Sequence, residues 1–250
     1  MKLLLLSVAN FLAKFWQIIP QRIRKELLTS LLILETRGQP DVALKRIFLI
    51  KDRLEWVINE RALAYGNGVH PKHTLTNYHY FFIDRIKDGE KVLDVGCGYG
   101  AVAKSIAEAR PNSEVLGLDL DRTRLEQAIN SNSLPNLNFV FGDATKEVPQ
   151  GKWDVIVLSN VLEHIVDRPK FLAAILQKSG ARRILIRVPL FQRDWQIPLR
   201  QKLAINYFSD DDHKIEHSLD EFRGELQLAG LKSKQTLTLW GEIWAECIKK

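Results

Sequence analysis

The sequence predicts a doubly wound α/β domain behind a helical N-terminal extension. Three observations carry this. From about Lys91 onward, short apolar runs alternate with helix-like segments. The first run ends in a glycine-rich turn. Residues 1–61 show helical spacing only. Strands that alternate with helices build a parallel sheet covered on both faces.

In residues 1–61, Ser7, Asn10, Lys14, Gln17 and Gln21 recur at steps of three and four. That spacing puts them in one polar stripe of a helix, opposite a wide apolar face. Pro20 marks a bend or restart. Leu27, Leu28, Leu31 and Leu32 continue the helical spacing, as do Ile47, Ile50, Leu54, Val57 and Ile58 after the Gly38–Pro40 break. The apolar stretches fall short of the roughly 20 residues of a membrane span. Lys2 with Leu3–Leu6 imitates a signal start, but no long apolar core or cleavage site follows. Two readings stay open. The helices pack on the rest of the chain or a second subunit, or they lie on a membrane surface with Trp16, Arg22, Arg24 and Lys25 at the headgroups.

The strand-like runs are Val92–Val95, Val115–Leu118, Phe139–Phe141, Val155–Leu158 and Ile184–Val188; the helix-like segments between them are Ala101–Arg110, Arg122–Asn132 and Pro169–Lys178. Pro189–His217 reads as an ordered loop or lid. Ser218 with Glu221 forms a capping-box pattern, and Gly230 suits the end of that helix. Leu237, Leu239 and Ile243–Ile248 predict two last strands. The expected division is residues 1–64 as helical extension and 65–250 as the α/β domain.

Charge and cysteine content exclude several classes. The chain has 36 Lys and Arg against 30 Asp and Glu; residues 1–61 hold 11 and 6 of these, a difference of +5, which leaves +1 for the remainder. A nucleic-acid surface on the α/β domain is therefore not expected, because phosphate contacts need clustered cations. Two cysteines, Cys97 and Cys247, make no disulfide framework, which points to a reducing, cytoplasmic compartment.

The strongest local signal is Val92-Leu93-Asp94-Val95-Gly96-Cys97-Gly98-Tyr99-Gly100. Glycines let a backbone approach a ligand, and a helix N-terminus adds N–H donors. The glycine spacing departs from the dinucleotide G-x-G-x-x-G. Asp94 repels a pyrophosphate and suits a ligand with an ammonium group. Further polar groups follow at successive strand ends: Asp119 with Leu120, Gly142-Asp143-Ala144, and Ser159-Asn160 leading to Glu163-His164. That edge is where open α/β sheets bind ligands.

Taken together, these elements resemble the class I S-adenosylmethionine-dependent methyltransferases, especially the small-molecule branch that includes ubiquinone-biosynthesis O-methyltransferases. The resemblance covers Tyr65 to the C-terminus and is sharpest over Lys91–Arg168. It implies a Rossmann-like sheet of seven strands, the last antiparallel. It implies S-adenosyl-L-methionine as cofactor, with Gly96, Cys97, Gly98 and Gly100 against its methionine part. Asp119 and Leu120 would lie at the ribose, Asp143 and Ala144 at the adenine, and Asp94, Ser159 and Asn160 beside them. Cys97 reads as a small filler rather than a nucleophile.

Methyl transfer to a hydroxyl or amine gains from alignment and from a base. His164 is the candidate base; the alternative is a brace for the helix that follows. His70-Pro71-Lys72-His73 to Tyr80 corresponds to a segment that folds over the cofactor in relatives, without a matching arginine. Asp210, Asp211, Asp212, His213 and His217 have metal-capable side chains but read as a solvated loop, so no metal site is expected. Phe191, Trp195, Tyr207 and Phe208 either line an acceptor pocket or pack the loop down. The expected partner is a small-molecule or lipid- or sugar-linked acceptor. The alternatives are a nicotinamide-dependent oxidoreductase and a non-catalytic, membrane-associated adaptor.

Overall fold

A computed structural model describes the backbone of residues 2–250 and the side chains from Val8 onward. Helix α1 spans Lys2–Trp16, α2 Gln21–Glu35 and α3 Pro40–Tyr65. Pro20 immediately precedes α2, and Pro40 opens α3, where its missing N–H costs nothing. The side chain of Ser7 lies outside the described residues; Asn10, Lys14, Gln17 and Gln21 are exposed. The opposite face is exposed as well. Phe11, Phe15, Leu28 and Leu31 all stand in solvent, α2 buries nothing, and α3 buries only Ala43 and Phe48. The described apolar side chains of α1 and α2 are therefore not covered by the rest of this chain.

Two short helices follow, α4 (Lys72–Thr76) and α5 (Tyr78–Ile83), which meet at Asn77 in the left-handed region. The α/β part then runs β1 (Lys91–Val95), α6 (Ala101–Ala109), β2 (Glu114–Asp119), α7 (Arg122–Asn130), β3 (Leu137–Phe141), β4 (Val155–Ser159), α8 (Arg168–Ser179) and β5 (Arg183–Pro189). A short helix α9 (Gln196–Lys202) lies in the long loop, and α10 (Leu219–Leu228), β6 (Leu231–Leu239) and β7 (Glu242–Lys249) complete the chain. The capping box forms as predicted, with Ser218 and Glu221 bonded reciprocally. Strand β6 starts six residues before Leu237. Its exposed polar stretch Lys232–Gln235 carries no apolar signal, as suits the edge of a sheet.

The seven-stranded sheet has the order β3-β2-β1-β4-β5-β7-β6. Strands β1 to β5 pair in parallel, and β7 is antiparallel to both its neighbours. Alternate residues face opposite cores. Leu93, Ile156, Leu158 and Ile184 pack under α8 and α10, while Val92, Val155, Val157 and Leu185 pack under α5 and α6. Both faces are thus buried, which explains why the parallel strands read as continuous apolar runs. The strand order reverses between β1 and β4, and the C-terminal edge there is where a ligand groove opens in such sheets.

Candidate active site

The glycine turn after β1 is built by conformation and by close approach. Gly96, Gly98 and Gly100 all have positive φ. A Cβ on Gly96 would lie 2.7 Å from Val161 Cγ2, and one on Gly100 would lie 2.5 Å from the Phe139 ring. No other residue fits without displacing those neighbours. The turn is then tied to β2: the Gly98 N–H donates to Asp119 Oδ2 at 2.6 Å, and the Asp121 N–H donates to Asp119 Oδ1 at 2.8 Å. Each carboxylate oxygen has a second lone pair, so Asp119 keeps acceptor capacity toward a ligand.

A groove of about 380 Å³ runs along the strand ends, lined by Gly96, Asp119, Leu120, Asp143, Ala144, Asn160 and His164 among others. It continues through Gly96 and Asn160 into a recess of about 190 Å³ that holds Asp94, Cys97, Ser159, Lys72, Tyr78 and Arg187. The fold therefore collects Asp94, Gly96, Cys97, Asp119, Leu120, Asp143, Ala144, Ser159, Asn160 and His164 along one edge. Gly98 and Gly100 shape the turn without lining the groove.

Burial decides the chemistry of the acids. Asp94 is 1% exposed and its Oδ2 has no partner. Burial pushes its pKa up to about 7, against the pull of the Ala103 N–H. At the other end Asp143 is only partly buried. Bonds from Thr145 and Lys146 hold its carboxyl below the usual range. The Cys97 thiol is pushed far up by burial and by Asp94 and Asp119, so it stays protonated and inert.

Near the mouth, His164 Nδ1 lies 3.1 Å from Asp212 Oδ2. Burial lowers the His164 pKa, with Asp212 pulling the other way, so its ring is neutral at ordinary pH. His213 packs edge-on against it, with ring centroids 4.7 Å apart. Neither His213 nor His217 is solvated: both are buried, paired with Glu216 and Glu225. Glu163 is fully buried and neither carboxylate oxygen has a partner. Burial raises its pKa to about 8. Ligand atoms of Glu163, His164 and His213 lie within 4.8 Å of one another. The sequence held no spacing signal for this cluster, because His213 is 49 residues beyond His164.

Sequence reasoning also missed Arg187. It forms a two-bond pair with Glu242, at 2.6 and 2.5 Å, and lies 3.9 Å over the Tyr78 ring. It thereby fixes Tyr78 as a wall of the recess. Lys72, from the segment expected to fold over the cofactor, stands on the same recess.

Residues 71–236, more than half of the chain, match the family described as methyltransferase domain. The chain belongs to that family. A ubiquinone biosynthesis O-methyltransferase from Bartonella tribocorum is 28% identical over 162 residues, 62% of this chain and 63% of that protein. A (S)-tetrahydroprotoberberine N-methyltransferase from Eschscholzia californica is 33% identical over 99 residues, 38% of this chain and 28% of that protein. The chain thus spans less than two thirds of these relatives. Among solved structures, the magnesium protoporphyrin IX methyltransferase of Synechocystis PCC 6803, with bound SAH, aligns with TM-score 0.55 at 17% identity, covering 72% of this chain and 83% of that one. The pyocyanin biosynthetic protein PhzM aligns over 92% of this chain and 68% of its own, with TM-score 0.56 at 15% identity. These likenesses show the Rossmann-like methyltransferase fold, with its antiparallel last strand. Among the described residues, no helix is long and apolar enough to cross a membrane.

Proposed function

We propose that this protein transfers a methyl group from S-adenosylmethionine to a small-molecule or lipid- or sugar-linked acceptor, at oxygen. The observation that carries the reading is the continuous groove with Asp94, Asp119 and Asp143 at three successive strand ends. The groove fits the cofactor on one test in particular: the buried, unpartnered Asp94 Oδ2 needs a cation, and the cofactor's ammonium is one. Bound there, the cofactor supplies a methyl group on a sulfonium, open to in-line displacement. Asp119 with Leu120 holds the ribose hydroxyls, and Asp143 with Ala144 borders the adenine. The Gly96–Gly100 turn, Ser159 and Asn160 seat the methionine part. Alignment by these fixed elements lowers the barrier. His164, neutral and oriented by Asp212, would take the acceptor hydroxyl proton while the methyl carbon leaves the sulfonium sulfur for that oxygen.

Calorimetric titration of the full chain with S-adenosylhomocysteine and, separately, NAD tests the reading. Saturable binding of the first alone is the expected result. Binding of NAD alone points to the oxidoreductase, and binding of neither to the adaptor. An inactive His164→Ala variant that still binds S-adenosylhomocysteine supports the base role.

Glu163 favours a second reading of the mouth. A buried carboxylate without a partner beside two imidazoles has the donor set of a divalent-cation site. A cation there would polarise the acceptor oxygen, and His164 would be a ligand rather than the base. A rise in melting temperature with Mn²⁺ that Glu163→Gln abolishes supports this; equal melting curves with and without Mn²⁺ exclude it.

For residues 1–61 we propose a docking role, on a membrane surface or on a second copy of the chain. The exposed apolar side chains of α1 and α2 and the local basic excess support it. Vesicle co-sedimentation and sedimentation velocity, with and without these residues, separate the two.

A further inference from the structure

A second and wider cleft, of about 870 Å³, opens between α3, the loop after β5 and the β6–β7 turn. Its walls are fixed by bonds already made. Arg200, 8% exposed, donates to the Asp52 carboxylate and to the backbone carbonyls of Phe48 and Asn206. Lys51 donates to the Gln196 side chain at 2.8 Å. Helix α3 is thus tied to the loop, and the space between them belongs to the folded state.

Two tryptophans line the cleft, Trp56 from α3 and Trp240 from the turn. Trp240 is 67% exposed. Its φ is +54° and that of Gly241 is +77°, the pattern of a two-residue hairpin turn in which both positions are left-handed. Asn-Gly is the preferred pair for that turn, and a bulky residue at the first position is strained. An exposed ring that brings strain and little packing points to a use for the ring itself.

The remaining lining narrows the occupant. Five carboxylates face three cationic side chains, so the cleft disfavours phosphate and other anions. Glu55, Asn59, Asp194 and Asp211 share that lining; the side chains of Asn59, Asp194 and Asp211 each hold one hydrogen bond within the fold, to His70, Gln196 and Asn206, and keep further acceptor or donor capacity. A pyranose presents the complement: C–H patches on its faces and hydroxyls around its rim. An acyl chain would instead need a mostly apolar lining. The cleft and the groove draw on consecutive residues of one loop. Asp210 and Asp211 line the cleft, while the next residue, Asp212, lines the groove and holds His164.

We infer that this cleft is the acceptor subsite and takes a neutral glycosyl unit. The inference rests on the methyl-transfer reading and names the acceptor class for it. The test uses the full chain, followed by tryptophan emission and saturation-transfer NMR. It is titrated with methyl glycosides of the gluco, galacto, manno and 6-deoxy series. S-adenosylhomocysteine is titrated against the same samples. At least one glycoside binds the native protein. Trp240→Asn, which keeps a residue suited to the left-handed turn, weakens that binding about tenfold, equivalent to about 1.4 kcal/mol. Its S-adenosylhomocysteine affinity is unchanged. Trp56→Ala gives a loss of the same order. If S-adenosylhomocysteine binds and no glycoside does, the inference fails alone. Glycoside binding that is indifferent to both tryptophans overturns it as well. If S-adenosylhomocysteine does not bind the native chain, the methyl-transfer reading fails and the acceptor assignment with it.

Discussion

Measured across about pH 4 to about pH 8, the native protein and an Asp94→Asn variant isolate the effect of one buried carboxyl on both cofactor affinity and stability. Asp94 is 1% exposed, and burial raises its pKa from 3.8 to about 7. A ligand ammonium needs the ionised form. Below that pKa, each pH unit removes about nine tenths of the remaining carboxylate, so S-adenosylhomocysteine affinity falls about tenfold per unit, or about 1.4 kcal/mol. Above it the affinity is flat. Stability runs the opposite way. The folded state holds this proton more tightly than the unfolded chain does, so the folded form loses stability as pH climbs from about 4 to about 7, then levels off. A shift of about three units corresponds to an upper figure of about 4 kcal/mol. Asp94→Asn cannot ionise. It is expected to match the native protein near pH 4 and to exceed its stability near pH 8, while binding S-adenosylhomocysteine weakly and without that pH slope. Calorimetry and urea denaturation at each pH measure both. A native affinity that is flat between pH 5 and 8, or a variant with the native slope, refutes the assignment of Asp94 to the ammonium.

Gly100→Ala places a methyl 2.5 Å from the Phe139 ring at a φ of +76°, and urea denaturation is expected to show a loss of about 2–5 kcal/mol from left-handed strain and overpacking together. Arg200→Met leaves two carbonyls and the half-exposed Asp52 without their donor; about 1–3 kcal/mol of stability should be lost, with faster proteolysis within α3. Both thiols are held protonated, Cys97 far up and Cys247 at about 12, so alkylation near pH 8 should be slow for the folded chain and fast in denaturant.

The site residues legible in the sequence share one property: each is marked by its immediate neighbours. Asp94 stands two residues before a glycine turn. Asp119, Asp143 and Ser159 stand at the ends of short apolar runs, and a strand that ends a parallel sheet layer delivers its last polar residue to one edge. Strand β6 was half hidden because an edge strand with one solvated face needs no apolar run. In the 210–217 loop Asp210, Asp211 and Asp212 are exposed, as their polarity predicts, but the two histidines are not. His213 and His217 look solvated beside three aspartates, yet both are buried because Glu216 and Glu225 supply partners from inside the fold.

Local spacing and hydrophobic period were enough to specify the parallel sheet, the order of its elements and the row of carboxylates, because these depend on contacts between near neighbours and on the two-residue pleat. Tertiary structure alone decided the rest. It set Glu163 beside His213, locked Arg187 to Glu242 against the Tyr78 ring, and opened a tryptophan-lined cleft between α3 and a loop more than a hundred residues away in sequence. Such pairings arise from packing between distant segments, and no periodicity along the chain encodes them.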